Sequence, residues 1–434
     1  MLAISFAGAI FIGTLLLMLP FCSASGRLSL MDALFTSTSA ICVTGLIVVD
    51  TATHFTLFGQ IVILVLIQLG GLGIMTFSTM VLLAAGRSIT IHDRILIQEG
   101  YHPGSPRSFK ALIKNIFVFT AIIEGIGFVL LSLRFLRDHP WPRALLSGLF
   151  HAVSGFCNAG FSVYSDSLMG FRGDVFINLI MAHLIIFGGL GFLVIGEAAI
   201  AGRGLLKKKK MRLSLHTKMV LTSTTILIFG SFFIFLALEK DRALQSFSWK
   251  DKLLASFFQV VTPRTAGFNT MDLTTLGPAA VLLLMLLMFV GASPGSTGGG
   301  VKTSTFGVVL AFIRSKIAAR DSISMFYRTI PQDSAVRAFT LISLSLSLIF
   351  IAGFVVLINQ PSLLMRDVFF EVFSGFGTVG LSLGITPNLS VLGKAMVILL
   401  MYAGRIGPLT LLLAFSRRRA IGKYEYLEER VLIG

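Results

Sequence analysis

Long apolar runs separated by short polar segments dominate the hydrophobic pattern of this 434-residue chain. Several runs reach the roughly 20 residues that a helix needs to cross a bilayer, so the pattern predicts membrane-spanning helices. The first run lacks the basic n-region of a cleaved signal peptide, and we therefore interpret it as a span. The predicted spans lie at residues 2–20, 57–82, 111–133, 174–199, 216–238, 277–313, 337–358 and 391–415.

A phenylalanine followed ten residues later by a glycine recurs between these spans. The pairs are Phe35 and Gly45, Phe150 and Gly160, Phe257 and Gly267, and Phe370 and Gly380. With two spans to a unit, every unit enters the membrane in the same orientation, so the symmetry axis runs along the membrane normal. The sequence predicts an all-α integral membrane protein with eight transmembrane helices in four parallel helix/pore-loop/helix repeats around a central pore. The predicted units are residues 1–82, 111–199, 216–313 and 337–415, followed by a tail at 416–434.

The turns that hold these glycines have the composition of an ion filter built from backbone. Glycine allows backbone angles that turn carbonyl oxygens toward one axis, where four turns replace the hydration shell of a monovalent cation. No Asp or Glu lies within the turns, which argues against a calcium-type filter. The segments before the turns are long enough for short pore helices, at 33–41, 144–156, 252–261 and 366–376. The predicted ion-binding residues are Val43, Thr44, Gly45, Asn158, Ala159, Gly160, Thr265, Ala266, Gly267, Thr378, Val379 and Gly380.

The net charge of +16 is concentrated on one side of the predicted membrane. Segments 86–114, 203–218, 314–337 and 416–434 hold 22 Lys and Arg against 7 Asp and Glu, whereas the segments on the opposite side hold 12 against 11. The positive-inside rule then places these segments and both termini in the cytoplasm and the turns toward the outer face. We expect Lys207–Lys210 to meet anionic lipid or an acidic partner surface, and we expect no nucleic-acid partner.

At the four turns, and again at Gly291–Thr303, the chain resembles the Trk/Ktr/HKT superfamily of potassium transporters over nearly its whole length. Within that superfamily it is most similar to the bacterial KtrB membrane subunit, which has eight spans and no additional N-terminal hairpin. The resemblance implies potassium uptake across the bacterial plasma membrane, a homodimer with one pore per protomer, and control by a cytosolic ring of RCK-type nucleotide-binding subunits. It favours potassium over sodium, because members that favour sodium tend to carry serine at the first filter glycine, which is Gly45 here.

Each turn has a single glycine and the four turns differ in sequence, so we expect looser selectivity than in a tetrameric potassium channel. Potassium and rubidium should pass readily, with some sodium, and no organic cofactor is expected. A sodium- or proton-coupled cation symporter is the alternative function, and flux measurements separate the two. A membrane enzyme is disfavoured, because the sequence carries no Ser/His/Asp or H-E-x-x-H arrangement.

The sixth span is interrupted at residues 291–303, which carry five glycines, one proline and four Ser or Thr residues. At about 1 kcal/mol for each glycine and about 3 kcal/mol for proline, a helix cannot continue through this segment. A phosphate-binding loop is disfavoured because Val301 separates Gly300 from Lys302 and no strand precedes it. The family resemblance implies a loop that crosses the pore beneath the filter as a gate, and the alternative is a packed kink.

Arg405 lies within the last span, where an arginine is costly unless it has a partner or faces a cavity. In related proteins an arginine at this position faces the pore beside the gate loop, and the alternative is a pairing with a carbonyl of a neighbouring helix. The predicted gate residues are Gly291, Ser293, Pro294, Gly295, Gly298, Gly299, Gly300, Lys302 and Arg405.

The remaining polar residues in or near the spans carry weaker signals. Glu124 and Glu197 are either ion-coupling sites or structural partners of helix ends. His151 and His183 lack the paired spacing of haem ligands. The cysteines have no C-x-x-C spacing and are expected to be packing residues without a disulfide or zinc site. They are Cys22, Cys42 and Cys157.

Overall fold

The structure is a computed structural model of the chain that describes residues 2–24, 26, 28–73, 109–208, 212–408 and 410. Within these residues it is mostly helical, with one two-stranded hairpin. Some predictions fall outside the described residues and stay predictions. They concern the end of span 57–82, the segment 86–108, the last two lysines of Lys207–Lys210, the end of span 391–415 and the tail 416–434.

The first two predicted units share one order of elements, in which an apolar helix is followed by a short helix, a glycine turn and a second apolar helix. The helices of the first unit are α1 (Leu2–Leu17), α2 (Leu30–Ile41), α3 (Thr51–His54) and α4 (Leu57–Leu72). Those of the second unit are α5 (Phe109–Phe135), α6 (Trp141–Phe156), α7 (Val175–Leu190) and α8 (Phe192–Leu206).

The third and fourth units keep this order, and a small hairpin joins them. The helices of the third unit are α9 (Leu215–Glu239), α10 (Trp249–Val261), α11 (Pro278–Phe289) and α12 (Thr303–Ile317). The antiparallel strands are β1 (Ile323–Met325) and β2 (Arg328–Ile330). The helices of the fourth unit are α13 (Gln332–Asn359), α14 (Met365–Gly377) and α15 (Val391–Ile406). The hairpin lies in a segment for which the sequence predicts only a loop.

The predicted span at 174–199 is not one straight helix, because α7 and α8 meet there at an angle of 104°. Gly191 stands at the bend with φ of 90°, a conformation that glycine adopts without steric cost. The amide of Phe192, which no longer has a helical partner, donates to the carbonyl of Gly295 at 2.9 Å. Gly73 and Gly407 end α4 and α15 with φ of 81° and 95°. The second apolar helices of the first, second and fourth units, α4, α7 and α15, therefore each end at a glycine with a positive φ.

Three of the described helices are long and apolar enough to cross a membrane, and a fourth span results if the bent α7–α8 pair counts as one. The three are Lys114–Phe135, Leu215–Glu239 and Gln332–Asn359. The apolar helices α1, α4 and α11 are shorter. The chain is thus a membrane-type helical protein, and the arrangement of eight spans stays a prediction.

The four short helices α2, α6, α10 and α14 lie where the sequence predicts pore helices, and each begins slightly earlier than predicted. In α2 the earlier start follows from a cap, because Ser29 Oγ accepts from the amide of Asp32 at 3.1 Å. The repeated phenylalanines are fully buried in three of these helices, but in α10 Phe257 is only partly buried and Phe258 takes the buried position. The helix register of the third unit is therefore shifted by one residue.

Candidate functional site

The four glycine turns share an unusual backbone conformation. The residue two positions before each glycine has a positive φ, with values of 57°, 59°, 76° and 50° along the chain, and each glycine has a positive φ as well. The four non-glycine residues in this conformation are Val43, Asn158, Thr265 and Thr378. Three of them are β-branched and rarely adopt a positive φ, so their surroundings must hold the turns in place. Because left-handed residues occur at alternate positions, the peptide planes of each turn are oriented differently from those of an extended strand.

Each glycine lies against the backbone of the next turn, and the four contacts close into a ring. The pairs of glycine and opposing carbonyl are Gly45 with Ala159, Gly160 with Ala266, Gly267 with Val379, and Gly380 with Thr44. A Cβ built on Gly45 would lie 2.5 Å from the opposing oxygen, and one on Gly160 would lie 2.8 Å away. Real Cβ atoms do not approach oxygen so closely, so no side chain fits at these positions without displacing a neighbouring turn. We call this arrangement the glycine ring.

A hydroxyl near the end of each short helix holds the turn that follows it. In the first and fourth units the hydroxyl accepts from the amide of the ring glycine, and in the second and third units it donates to the carbonyl just after the glycine. The bonds are Ser39 with Gly45 at 3.0 Å, Ser374 with Gly380 at 3.1 Å, Ser154 with Phe161 at 2.8 Å and Thr262 with Phe268 at 2.6 Å. The sequence signal for these residues is a Ser or Thr five or six positions before each glycine, which our sequence analysis does not use.

A cavity of about 360 Å³ opens on the side of the glycine ring where the chain leaves the turns, and all four ring glycines line it. Asp50, Asp166 and Asp272 also line it, five or six residues after a ring glycine in three of the units. In the fourth unit Thr386 takes this place. These carboxylates are a further feature that the sequence analysis misses, and they give the cavity a negative potential that attracts cations.

The predicted gate segment, residues 291–303, lies beneath the glycine ring and contacts its side chains. The two ends of the segment pair with each other, since Gly291 N donates to Val301 O at 2.9 Å. Gly299 N donates to Thr378 Oγ1 at 3.0 Å. A Cβ on Gly298 would collide with Thr265 Oγ1. The segment, which we call the 291–303 loop, therefore touches the turns of the third and fourth units from below.

The same loop contacts the second unit at the bend between α7 and α8. Thr297 N donates to Gly188 O at 3.2 Å, and Thr297 Oγ1 donates to Phe156 O at 3.1 Å. Ser293 N donates to Gly189 O at 2.9 Å. Each of these bonds uses a backbone carbonyl at the end of a helix, where no intrahelical partner is available. The helix break thus supplies the acceptors that hold the loop.

Arg405 connects the loop to the first unit. Its guanidinium donates to Thr297 O in the loop and to Gly70 O in α4, and it lies 3.5 Å from Gly71 O. The arginine pairs with carbonyls of a neighbouring helix, as in the structural alternative, and it also contacts the 291–303 loop; its place in a pore stays a prediction. Lys302 Nζ donates to Gly298 O at 2.7 Å and so fastens the loop to itself. The 291–303 loop is therefore in contact, directly or through Arg405, with all four units.

Glycines near the ends of α4, α7 and α15 allow these helices to pack closely against the short helices α2, α6 and α14. Gly70, Gly188 and Gly404 lie against carbonyl oxygens in the last turns of α2, α6 and α14, too close for any Cβ. The sequence signal is Gly-Gly-Leu-Gly at 70–73 and 188–191 and Gly-Arg-Ile-Gly at 404–407, which the sequence analysis leaves unused.

Two other polar residues that the sequence singles out, Glu197 and Glu124, contact neighbouring polar groups. Glu197 accepts from both the amide and the hydroxyl of Ser214 at 2.7 Å and so supports the start of α9, which is the structural alternative. Glu124 lies 3.3 Å from Gln68 Nε2 and 3.7 Å from Cys157 Sγ. All three cysteines are buried, as expected of packing residues. In the part of the chain that the structure describes, no three metal-ligating side chains are grouped to hold a metal ion.

Comparison with known proteins places this geometry in a family. Residues 3–425 match the family model TrkH, described as cation transport protein. The Ktr system potassium uptake protein B of Bacillus subtilis is 41% identical over 419 residues, which cover 96% of this chain and 92% of that protein. The potassium/sodium uptake protein NtpJ of Enterococcus hirae is 38% identical over 442 residues, which cover 100% of this chain and 96% of that protein. The crystal structure of the potassium transporter TrkH from Vibrio parahaemolyticus shares the fold, with a TM-score of 0.73 at 19% identity over 95% of this chain and 83% of that one. The chain belongs to the TrkH family of cation transport proteins.

Proposed function

We propose that this protein takes up potassium through a central pore in which the glycine ring is the selectivity filter. The observation that carries the proposal is the closed contact of four glycine turns, each against a carbonyl of the next. Relatives at 41% and 38% identity are named as potassium and potassium/sodium uptake proteins. Membership of a cation transport family confirms the expectation of a transporter and not an enzyme.

The filter proposal depends on backbone rather than on charged side chains. Carbonyl oxygens of the predicted ion-binding residues, from Val43–Gly45 to Thr378–Gly380, would replace the hydration shell of the cation. The carboxylates of Asp50, Asp166 and Asp272 in the adjoining cavity would raise the local cation concentration before entry. The eight spans would then form four parallel repeats around this axis, with the boundaries 1–82, 111–199, 216–313 and 337–415.

The 291–303 loop is proposed as the gate of this pore. It lies directly beneath the ring and is fastened to the turns, to the bend at Gly188 and Gly189 and, through Arg405, to α4. A segment held by hydrogen bonds to a threonine hydroxyl and to helix-end carbonyls would block the axis, and it would open only if those bonds are exchanged. The two positive charges of Lys302 and Arg405 add an electrostatic barrier to cations in a poorly hydrated passage.

Sodium- or proton-coupled symport remains the second candidate, and one observation favours it. Glu124 is a carboxylate inside a predicted span, and the contacts described for it are neutral, with Gln68 and Cys157. A carboxylate in such a place is a candidate for binding a coupling ion. Rubidium uptake measured with and without sodium, and with and without a pH gradient, decides between the channel-like and coupled mechanisms.

The assembly is proposed to be a homodimer in the bacterial plasma membrane, with both termini in the cytoplasm. Each protomer would hold one pore, and a ring of RCK-type nucleotide-binding subunits would act on the cytoplasmic face. The basic segments 203–218 and 314–337 face that side under the positive-inside rule. A native mass measurement of the purified complex tests the dimer, and copurification tests the soluble regulator.

The filter is tested by Gly45→Ser in protein reconstituted into liposomes. We expect the permeability ratio of rubidium to sodium to fall, because a Cβ at Gly45 displaces the carbonyl of Ala159. Gly230→Ser is the matched control, since a Cβ at Gly230 meets nothing within 4 Å. A correctly inserted Gly45→Ser protein with an unchanged ratio would remove Gly45 from the filter.

A further inference from the structure

At one position in each short helix, each of the four units has a different residue. The repeated fold does not require a difference there. This position follows the buried phenylalanine, and it is taken by a polar residue in every unit once the one-residue shift of α10 is included. The four residues are Thr36, His151, Gln259 and Glu371. All four are buried. In the described part of the chain, only the residues of the second and fourth units hydrogen-bond to the segment that follows the ring glycine.

Glu371 ties α14 to the segment that leaves the fourth turn. It is 1% exposed, and its carboxylate accepts from Ser382 Oγ at 2.7 Å and from Thr386 Oγ1. Ser382 Oγ in turn accepts from the amide of Gly384 at 3.0 Å. Ser382 is two residues after the ring glycine of this unit. The carboxylate therefore connects the helix before the turn with the chain after it.

His151 makes the corresponding connection in the second unit. It is fully buried, with Nδ1 2.8 Å from Ser147 O and Nε2 3.0 Å from Ser162 Oγ. Because a carbonyl only accepts, Nδ1 carries a proton and donates to Ser147 O, while Nε2 pairs with the hydroxyl of Ser162. Ser162 is two residues after Gly160, as Ser382 is after Gly380. The ring of Tyr164 stacks on the imidazole with centroids 5.2 Å apart and fixes its orientation.

The first and third units have no such connection. Among the described residues, Thr36 Oγ1 and both polar atoms of the Gln259 side chain have no hydrogen-bond partner. The residue two positions after the glycine is Ile47 in the first unit, which offers no polar group. Since the ring contacts run from the first unit through the second and third to the fourth, the two connected units are opposite each other.

We propose that Glu371 and His151 are positioning residues that hold two opposite walls of the glycine ring at a fixed separation and so set discrimination between potassium and sodium. The inference rests on the proposed filter function. A filter made of carbonyl dipoles prefers the larger cation only if its walls resist closing around the smaller one. Glu371 accepts from two hydroxyls of the segment after its turn, whereas His151 pairs with one, so Glu371 should contribute more than His151.

The test measures rubidium and sodium permeability in proteoliposomes for Glu371→Ala, Ser382→Ala and the double variant. Each single change should lower the rubidium-to-sodium ratio about two- to tenfold, the range that corresponds to the loss of one hydrogen bond. The double variant should lose no more than the larger single change, because both substitutions break the same contact. Glu371→Gln keeps the shape and one acceptor oxygen, and it should restore part of the ratio.

Thr36→Val and Gln259→Leu are the matched controls, since they alter the same helical position in units that lack the contact. Both should leave the ratio unchanged, and a drop as large as that of Glu371→Ala would contradict the proposal. If Glu371→Ala does not insert, Ser382→Ala and Thr386→Val decide the matter. Unchanged ratios in these variants, or fully additive losses, overturn the positioning role.

Gly45→Ser is measured in the same experiment to separate the two proposals. If Gly45→Ser lowers the ratio and the Glu371 and Ser382 variants do not, the filter stands and the positioning role is refuted. If none of them changes the ratio, the filter proposal itself fails and the positioning role fails with it.

Discussion

The glycine ring and the 291–303 loop are both non-helical backbone at the centre of the protein, but they are built in opposite ways. The ring repeats one local conformation four times, and each turn is held by a hydroxyl of its own short helix, such as Ser39 for Gly45. The loop occurs once, and it is held by helix-end carbonyls of other units, directly by Gly188 O and through Arg405 by Gly70 O. Changes in the ring should therefore alter which cation passes, whereas changes in the loop should alter how fast cations pass.

Deleting Ser293–Gly300 should have the largest effect, and it should act on rate alone. The ends of the loop are already paired by the bond from Gly291 N to Val301 O, so the shortened chain can close without moving α11 and α12 apart. We expect maximal rubidium flux to rise by about tenfold or more, since each 1.4 kcal/mol removed from a barrier gives a factor of ten. Flux should also depend less on the soluble regulator.

The measurement is rubidium uptake per correctly inserted protein, together with the rubidium-to-sodium ratio. An unchanged ratio with higher flux supports the division between ring and loop. If a correctly folded deletion variant has unchanged or lower flux, the loop is a packed kink and the comparison collapses.

Arg405→Ala should also increase flux, but by less than the deletion. The substitution removes the bridge from Thr297 O to Gly70 O and one positive charge, while the loop stays as a steric obstacle. Arg405→Lys separates the two contributions, because it keeps the charge but cannot reach both carbonyls with a planar fork. Low flux in the lysine variant would assign the barrier to charge, and raised flux would assign it to the bridge. Wild-type flux in both variants contradicts a gating role for Arg405.

Much of the ring could be predicted from the sequence, because its requirements are local. A phenylalanine and a glycine ten residues apart recur with each turn, and the short helices lie where the sequence predicts them. The positive φ of Val43, Thr265 and Thr378 instead depends on the structure around the turns. The bend at Gly191 could not be predicted from the hydropathy of the sequence. Hydropathy is averaged over about 19 residues, so a break inside an apolar run leaves no trace in it. The Gly-Gly-Leu-Gly motif is a better signal for that bend than hydropathy.

The contacts of the loop could not be predicted, because they join distant parts of the chain. Arg405 reaches Thr297 across 108 residues and Gly70 across 335. Its acceptors are backbone carbonyls, which every residue carries, so no side-chain pattern marks them. The sequence indicates that a buried arginine needs a partner. Only the fold shows that this partner is the loop itself.

Ser39→Ala should alter selectivity with little change in flux, and by less than a change at a ring glycine. The variant loses the acceptor for the amide of Gly45, so the first turn is held less firmly. We expect a drop of about two- to tenfold in the rubidium-to-sodium ratio, in line with the net worth of one hydrogen bond. Ser37→Ala is the control, because this buried hydroxyl of the same helix donates to Ile10 O and not to the turn. Equal effects of the two variants would mean general loosening of α2.

The smallest expected effect is on stability, at the junction between the fourth and first units. These two units are neighbours in the ring but are not consecutive in the chain. Lys394 Nζ donates to Asp32 Oδ1 at 2.7 Å across this junction. Partial burial raises the pKa of Asp32, but hydrogen bonds from Lys394 and Ser29 and the charge of Lys394 outweigh it, so the pKa lies below its usual range. A carboxyl with a lowered folded pKa adds stability above the unfolded pKa of about 3.9 and loses it as the pH falls through the folded value.

Lys394→Gln should therefore lower thermal stability slightly at neutral pH, by roughly 0–1 kcal/mol as for partly exposed ion pairs. The difference between variant and wild type should shrink as the pH falls below about 4, and it should be lost below the lowered pKa of Asp32, where this carboxyl is protonated in both proteins. Lys240→Gln is the control, since its pair with Asp241 is longer, at 3.7 Å, and more exposed. Melting curves of detergent-purified protein at neutral and acidic pH provide the measurement. A stability loss that is the same at both pH values would show that Lys394 acts through packing. The ion pair would then contribute nothing to the contact between the fourth and first units.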